Sequence, residues 1–132
     1  MRIVFVSFVV FLLSANSFGF NRYRAHGGPI KGLAYSEELE LVVRTSFDYT
    51  AVIWDAHTML ELKQLIGHDA AVNAAAFSPD GRWLATAGDD NQVLLWETAE
   101  LRDSRHTPTG IPLTGHTAKI VHLAFSGDSK YL

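Results

Sequence analysis

Two ten-residue stretches, residues 46–55 (SFDYTAVIWD) and residues 88–97 (GDDNQVLLWE), carry the same pattern and decide the fold. Each stretch places an aspartate six residues before a tryptophan, and both markers recur at an offset of 42 residues. Two histidines upstream of these stretches, His26 and His68, have the same offset. Because three independent markers share one offset, the sequence contains an internal repeat.

A third copy of the repeat begins at Gly115-His116, 48 residues after Gly67-His68. The longer interval is explained by a polar insertion at about residues 99–109, which is rich in Arg, Ser, Thr and Pro. The predicted repeat region therefore covers residues 25–132, with units at about 25–66, 67–114 and 115–132, the last of them partial.

Each complete unit reads as short strands separated by turn residues. The second unit has Pro and Gly at the favoured positions of a type I turn in residues 78–81. The predicted strands cover residues 30–35, 39–43, 51–54 and 60–66 in the first unit, and 72–77, 83–87 and 93–96 in the second. Four short antiparallel strands per period are the arithmetic of a β-propeller blade. The sequence predicts an all-β fold, an incomplete β-propeller with two four-stranded antiparallel blades and the first strand of a third.

Composition restricts the function classes. The chain has 132 residues, of which 48% are apolar and 19% charged, as in globular proteins. The net charge is −3 and no block of like charge occurs, so the electrostatic signature of a nucleic-acid binder is missing. Without cysteine, these residues cannot form a disulfide, a thiol nucleophile, a zinc ribbon or a Cys-x-x-Cys-His haem attachment.

The first 19 residues have the layout of a secretory signal peptide. Arg2 precedes an apolar run at residues 3–13, and small and polar residues follow, so that cleavage is expected after Ser17 or Gly19. A membrane-spanning helix needs about 20 apolar residues, and this run is shorter. We expect an exported protein, periplasmic or secreted, without a stable membrane span. An uncleaved anchor or a misassigned start codon are the alternatives.

Gly-His about 28 residues before Trp-Asp or Trp-Glu, with an aspartate six residues before the tryptophan, resembles the WD40 repeat. The segments at residues 26–32 and 67–73 are similar to those of exported bacterial WD-repeat proteins, some of which carry a c-type cytochrome domain. The resemblance implies a non-catalytic scaffold that binds other proteins. The alternative function is the propeller part of an exported electron-transfer cytochrome whose haem domain is missing from this chain.

The resemblance also implies a buried network of a histidine, a Ser or Thr, an aspartate and a tryptophan in each unit. The second unit supplies all four residues, His68, Thr86, Asp90 and Trp96. The first unit supplies His26, Asp48 and Trp54, and the third unit supplies His116. Arg44 stands where the first unit should have Ser or Thr, so we expect that network to be incomplete.

We also considered catalytic and metal-binding interpretations of these residues. A histidine, an aspartate and a threonine in contact could act as a general-base arrangement, but their recurrence at the blade period favours a structural role. The pairs His116/His122 and His57/His106 lack matched carboxylates, and residues 89–91 lack the spacing of a calcium loop. We therefore expect no catalytic residue, no metal and no cofactor.

Partner-binding residues are implied at the narrow top face of the propeller, next to each histidine and aspartate. The corresponding positions here are Lys31, Phe47, Asn73, Asp89 and Lys119. Phe47 is the sharpest candidate, because an exposed aromatic residue beside a turn favours recognition; ordinary surface packing is the alternative. Two blades do not close a ring, so we expect the sequence to be a fragment of a larger propeller. Assembly of several copies, or further blades from a second polypeptide, are the alternatives.

Overall fold

The computed structural model describes residues 26–132, and the predicted signal segment lies outside the described residues. The described chain forms eight strands in two four-stranded antiparallel sheets, each with its strands in sequence order. Blade 1 consists of β1 (Ile30–Ser36), β2 (Leu41–Ser46), β3 (Thr50–Asp55) and β4 (Glu61–Ile66). Blade 2 consists of β5 (Val72–Phe77), β6 (Trp83–Gly88), β7 (Val93–Glu97) and β8 (Ile111–Leu113). The prediction of two four-stranded blades is confirmed, and the two sheets do not close into a ring.

The two sheets repeat each other in register as well as in strand order. Val42 pairs with Trp54 in blade 1 and Leu84 pairs with Trp96 in blade 2, at the same 42-residue offset. The first strand of each blade also carries a bulge at the equivalent place, between Ile30 and Gly32 and between Val72 and Ala74. The periodicity of the sequence thus corresponds to a periodicity of backbone pairing.

The main core lies between the two blades. It joins one face of blade 1, including Leu41, Val43 and Ile53, to one face of blade 2, including Leu84 and Trp96. All five residues are at most 1% exposed, so apolar burial at this interface is nearly complete. Burial of this kind stabilises by roughly 25 cal/mol per Å² of apolar surface, and it fixes how the blades are oriented.

The third unit begins as a segment packed on the open face of blade 2. Ile120 is buried against Ala85, Ala87 and Val93, and its backbone N–H donates to the Gly88 carbonyl at 3.0 Å. Residues 120–125 have no ladder of strand hydrogen bonds, which differs from the predicted first strand of a third blade. The physical reason is that a strand requires a hydrogen-bonded neighbour, and the described residues provide no such neighbour on that side.

The turn after the first strand recurs in this third unit. Ser78 Oγ donates to Asp80 Oδ1 at 2.6 Å, and Ser126 Oγ donates to Asp128 Oδ1 at 2.7 Å. The Asp80 N–H also donates to Ser129 Oγ at 3.0 Å, so the turns of adjacent units contact each other. The third unit therefore repeats the turn that follows the first strand of blade 2.

The polar insertion folds back on blade 1. It starts with a 3-10 turn at Thr98–Glu100, and Leu101 behind it is completely buried in the inter-blade core. Arg102 donates to Asp55 Oδ2 at 2.9 Å and to the Leu39 carbonyl at 3.0 Å. The insertion therefore connects the two blades.

In the described part of the chain, no helix is long and apolar enough to cross a membrane.

Candidate functional site

The four predicted network residues of blade 2 form a continuous hydrogen-bonded chain. Trp96 Nε1 donates to Thr86 Oγ1 at 2.9 Å, and Thr86 Oγ1 lies 2.8 Å from His68 Nε2. His68 Nδ1 lies 2.7 Å from Asp90 Oδ2. Since an indole N–H only donates and a carboxylate only accepts, the chain runs from Trp96 through the threonine hydroxyl and the imidazole to Asp90.

The hydrogen-bonded network of blade 2 is sealed from solvent. Thr86 is completely buried, Trp96 is 1% exposed, and the side chains of His68 and Asp90 are 3% and 5% exposed. Burial alone raises the pKa of Asp90, but the hydrogen bonds from His68 and from backbone N–H groups outweigh it, so that the pKa is lowered. An aspartate held in its charged form by an imidazole and backbone donors connects the β6–β7 turn to the segment before β5. With every member hydrogen-bonded inside the protein, the blade 2 network has the chemistry of a structural element.

The matching residues of blade 1 form a looser network. His26 Nδ1 lies 3.3 and 3.1 Å from the two carboxylate oxygens of Asp48, which also accepts from Thr50 Oγ1 at 2.7 Å. Burial raises the pKa of Asp48, and bonds from Thr50 and the Gly27 N–H reverse the effect and lower it. Sequence reasoning missed Thr50; its position two residues after Asp48 is the signal that could have identified it as a turn-stabilising hydroxyl.

Arg44 replaces the hydroxyl that joins histidine to tryptophan in blade 2. Its guanidinium carbon lies 4.1 Å from the centre of the Trp54 ring, a cation–π contact. His26 Nε2 is buried and has no hydrogen-bond partner among residues 26–132. The blade 1 network therefore ends at the histidine, where the blade 2 network continues through Thr86.

His116, the network histidine expected in the third unit, is exposed in the described chain. It lines an open cavity of about 370 Å³ on the free face of blade 2, together with Val93, Ile120 and Leu123.

The predicted partner-binding residues lie at equivalent places in the two blades. The Phe47 N–H donates to the Pro29 carbonyl and the Asp89 N–H donates to the Ala71 carbonyl, both at 2.9 Å. Phe47 is 53% exposed, and Asp89 is exposed as well. The same backbone position thus presents an aromatic ring in blade 1 and a carboxylate in blade 2.

The other three predicted surface residues differ in their exposure to solvent and in their hydrogen bonds. Lys31 and Lys119 are exposed. Asn73 is partly buried, and its Nδ2 donates to Asp89 Oδ1 at 2.7 Å and to the Ile120 carbonyl at 2.9 Å. Its amide nitrogen therefore holds the third unit and Asp89 in place.

The neighbouring residue Tyr49 was missed by sequence reasoning. It is 49% exposed and adopts a positive φ of 71°, at the position where blade 2 has Asn91 with a φ of 63°. A bulky residue rarely adopts this conformation, and such strain is concentrated at functional sites. Phe47 and Tyr49 together place two exposed aromatic rings on one turn.

No metal site is evident in the described region, where no three His, Asp or Glu side chains are grouped closely enough to hold an ion.

Comparison with known proteins supports the WD40 repeat family. Residues 60–97 match the family model described as WD domain, G-beta repeat. The matched segment comprises β4 to β7, and the register between β6 and β7 recurs between β2 and β3. Residues 60–97 are thus similar to a WD repeat, and the two four-stranded sheets of the described chain are consistent with an incomplete β-propeller.

The similar proteins are much longer than this chain. It is 35% identical over 75 residues to Periodic tryptophan protein 2 of Arabidopsis thaliana, covering 57% of this chain and 8% of the relative. It is 31% identical over 105 residues to Actin-interacting protein 1-2 of Arabidopsis thaliana, covering 79% of this chain and 17% of the relative. It is 31% identical over 110 residues to human Apoptotic protease-activating factor 1, covering 81% and 9%. The chain thus spans less than a fifth of the length of these relatives.

These comparisons give no support to the alternative function in an electron-transfer cytochrome. None of the three relatives carries a name that describes a cytochrome.

Proposed function

We propose that this chain is a non-catalytic protein-binding segment of a WD-repeat propeller. The observation that carries the proposal is the contrast between its polar cluster and its surface. The His68–Asp90 pair resembles a catalytic pair, but it is buried, and its polar atoms already form hydrogen bonds within the protein. The exposed chemistry is instead a pair of aromatic rings at the β2–β3 turn.

The proposed binding surface consists of the exposed residues Lys31, Phe47, Asp89 and Lys119 and of Asn73, whose amide contacts Asp89. Phe47 provides an apolar anchor, and aromatic anchors contribute most of the binding energy at many protein interfaces. Asp89 is oriented by the Asn73 amide, which reduces the entropy lost when the carboxylate meets a partner.

A pull-down experiment tests this surface. The tagged full chain and its Phe47→Ala and Asp89→Ala variants are compared for recovery of the same partner, with Tyr131→Ala as the matched control. Tyr131 is an aromatic residue that is 73% exposed, in the turn of the third unit. Recovery should fall about tenfold or more for Phe47→Ala and remain unchanged for Tyr131→Ala. Unchanged recovery with both surface variants would remove the assignment.

Export is a further part of this proposal, supported by the layout of residues 1–19. Expression of the full chain followed by fractionation and N-terminal sequencing should recover a product that starts after Ser17 or Gly19. Retention of the intact N-terminus inside the cell would contradict the proposed export.

We further propose that other blades, from a longer chain or another copy, complete the ring. The open face of blade 2, already engaged by Ile120, supports this arrangement.

A further inference from the structure

An open pocket of about 710 Å³ lies between the two blades, at the end of β1 opposite to the proposed binding surface. The β1–β2 turn forms one wall with Tyr35, Glu37 and Glu38, and the β5–β6 turn forms the other with Phe77 and Pro79. Tyr35 and Phe77 are equivalent in the 42-residue repeat, so both blades contribute an aromatic ring to the same space. We call this cavity the inter-turn pocket.

Two exposed carboxylates lie at the inter-turn pocket. Glu37 and Glu38 form no ion pair within the described part of the chain, whereas Glu40 of the same turn is paired with His57 at 2.8 Å. Burial raises the pKa of the Tyr35 hydroxyl, and the negative charges of Glu37 and Glu40 raise it further. The pocket therefore has a negative potential, which favours the approach of a cation.

The equivalent gap between blade 2 and the third unit is bridged by a side chain. There the Asp80 N–H donates to Ser129 Oγ at 3.0 Å. The position of Ser129 is taken by Gly81 in blade 2, and both residues adopt a positive φ, of 60° and 70°. Gly81 has no hydroxyl to form the equivalent bond, and a Cβ atom there would lie 3.3 Å from Glu38 Oε2. The gap between blades 1 and 2 therefore stays open, with a carboxylate at its edge.

The residues of the inter-turn pocket suit an organic cation better than a metal ion. Among the residues that the structure describes, no three His, Asp or Glu side chains are grouped closely enough to hold an ion. A guanidinium group is planar, so it stacks on aromatic rings and also pairs with carboxylates through parallel N–H bonds. The lysine ammonium is a compact point charge that lacks this geometry. The combination of rings and carboxylates therefore favours arginine.

We propose that the inter-turn pocket binds an arginine side chain of a partner protein. The guanidinium group stacks on the Phe77 ring and pairs with the carboxylates of Glu37 and Glu38, so the occupant is selected by its charge and its shape. Because the pocket and the Phe47 surface lie at opposite ends of β1, this site is independent of the binding surface proposed above.

The experiment uses N-acetyl-arginine amide as the probe. The ¹⁵N-labelled full chain is titrated with this probe and, separately, with N-acetyl-citrulline amide, its uncharged analogue of similar shape. The backbone amide resonances of Glu38 and Ser78 should shift and saturate with the arginine probe at a Kd of about 1–10 mM. Added sodium chloride should weaken this binding, because it screens the charges of an open site. The citrulline probe should give no saturable shift.

Three variants assign the binding to the pocket. The double variant Glu37→Gln/Glu38→Gln removes both charges with little change in volume and should weaken arginine binding about fivefold or more. Phe77→Leu keeps an apolar side chain without the ring and should weaken binding about threefold. Glu61→Gln is the matched control, since Glu61 is exposed on β4 and does not line the pocket, and its affinity should equal that of the unchanged chain.

Several results would overturn the proposal. The absence of a saturable shift in the unchanged chain is one, and unchanged affinity in the double glutamine variant is another. Equal binding of the citrulline probe would show that the pocket does not recognise charge, and tighter binding of N-acetyl-lysine amide would assign it to lysine. Binding that appears only after Arg22→Gln and Arg24→Gln would identify an arginine of this chain as the occupant. Loss of partner recovery by Phe47→Ala is a separate outcome, so the two proposals can fail independently.

Discussion

The first three strands of blade 1 and blade 2 have equivalent registers and turn positions, yet their buried networks end differently. In blade 2 the Thr86 hydroxyl carries the chain of hydrogen bonds from Trp96 to His68. In blade 1 Arg44 occupies that position, and the network of hydrogen bonds stops at His26. One residue therefore decides whether the polar interior of a blade is closed. The repeat pattern thus specifies the backbone pairing, while a single position determines whether the buried network is complete.

The largest effect is expected from removing the central hydroxyl of blade 2. Thr86→Val should lower the free energy of unfolding by about 2–4 kcal/mol, because two buried polar groups each lose a partner. Chemical denaturation of the full chain measures this difference. The matched control is Thr45→Val, since Thr45 is equally buried but its hydroxyl has no partner among the described residues. Equal losses for the two variants would show that the bonds of Thr86 contribute nothing specific.

The second prediction introduces the missing hydroxyl into blade 1. Arg44→Thr should be about 1 kcal/mol more stable than Arg44→Val, because only the threonine can donate to His26 Nε2. Both variants lose the contact with the Trp54 ring, so their difference isolates the hydrogen bond. Thermal unfolding under identical conditions would provide the value. If the threonine variant were no more stable than the valine variant, the two blades would not share a common network geometry.

The third prediction concerns pH. The pKa values of Asp90 and Asp48 are lowered in the folded chain, so each contributes stability that is present above its ordinary pKa of 3.8 and is lost as pH falls through the folded value. Melting temperatures should therefore fall on acidification below about pH 4. Asp90→Asn should flatten this dependence more than Asp48→Asn, since the Asp90–His68 contact is shorter and drier. The reverse order would contradict the ranking of the two networks.

The smallest effect is expected where the insertion contacts blade 1. Arg102→Met should cost at most about 1 kcal/mol, because the Arg102–Asp55 ion pair is partly exposed to solvent. In the Arg102→Met variant, the backbone amides of residues 98–110 should exchange their hydrogens faster than in the unchanged chain. Arg105→Met is the control, since the Arg105 side chain bonds only to Asp103 within the same loop. A larger loss for Arg105→Met would refute a connecting role for Arg102.

Much of this fold could be predicted because the sequence contains a repeat, so that a strand predicted in one unit indicates the equivalent strand in the other. The fourth strand of blade 1 was expected at residues 60–66 and is observed at Glu61–Ile66. The second strand was placed two residues early, since the turn before it extends to Glu40, which adopts a positive φ of 52°. Polar composition concealed the buried Leu101 and the interaction of Arg102 with blade 1, because long-range contacts of an insertion leave no periodic signal.

The network members and the gap at Arg44 could also be inferred from the sequence, whereas the contacts that replace the missing hydroxyl could not. The resemblance indicated which four positions matter, and the substitution at Arg44 suggested a gap. The contact of Arg44 with the Trp54 ring and the role of Thr50 depend on side-chain packing, which residue spacing alone does not encode.

Native-state hydrogen exchange of the full chain tests the central claim most directly. It compares the backbone amides of β2 and β3 with those of β6 and β7, which occupy equivalent positions in the two blades. Our account predicts that the blade 1 amides exchange faster, because their buried network stops at His26. Equal protection in both blades, or slower exchange in blade 1, would show that the Thr86 hydroxyl does not determine how firmly a blade is held.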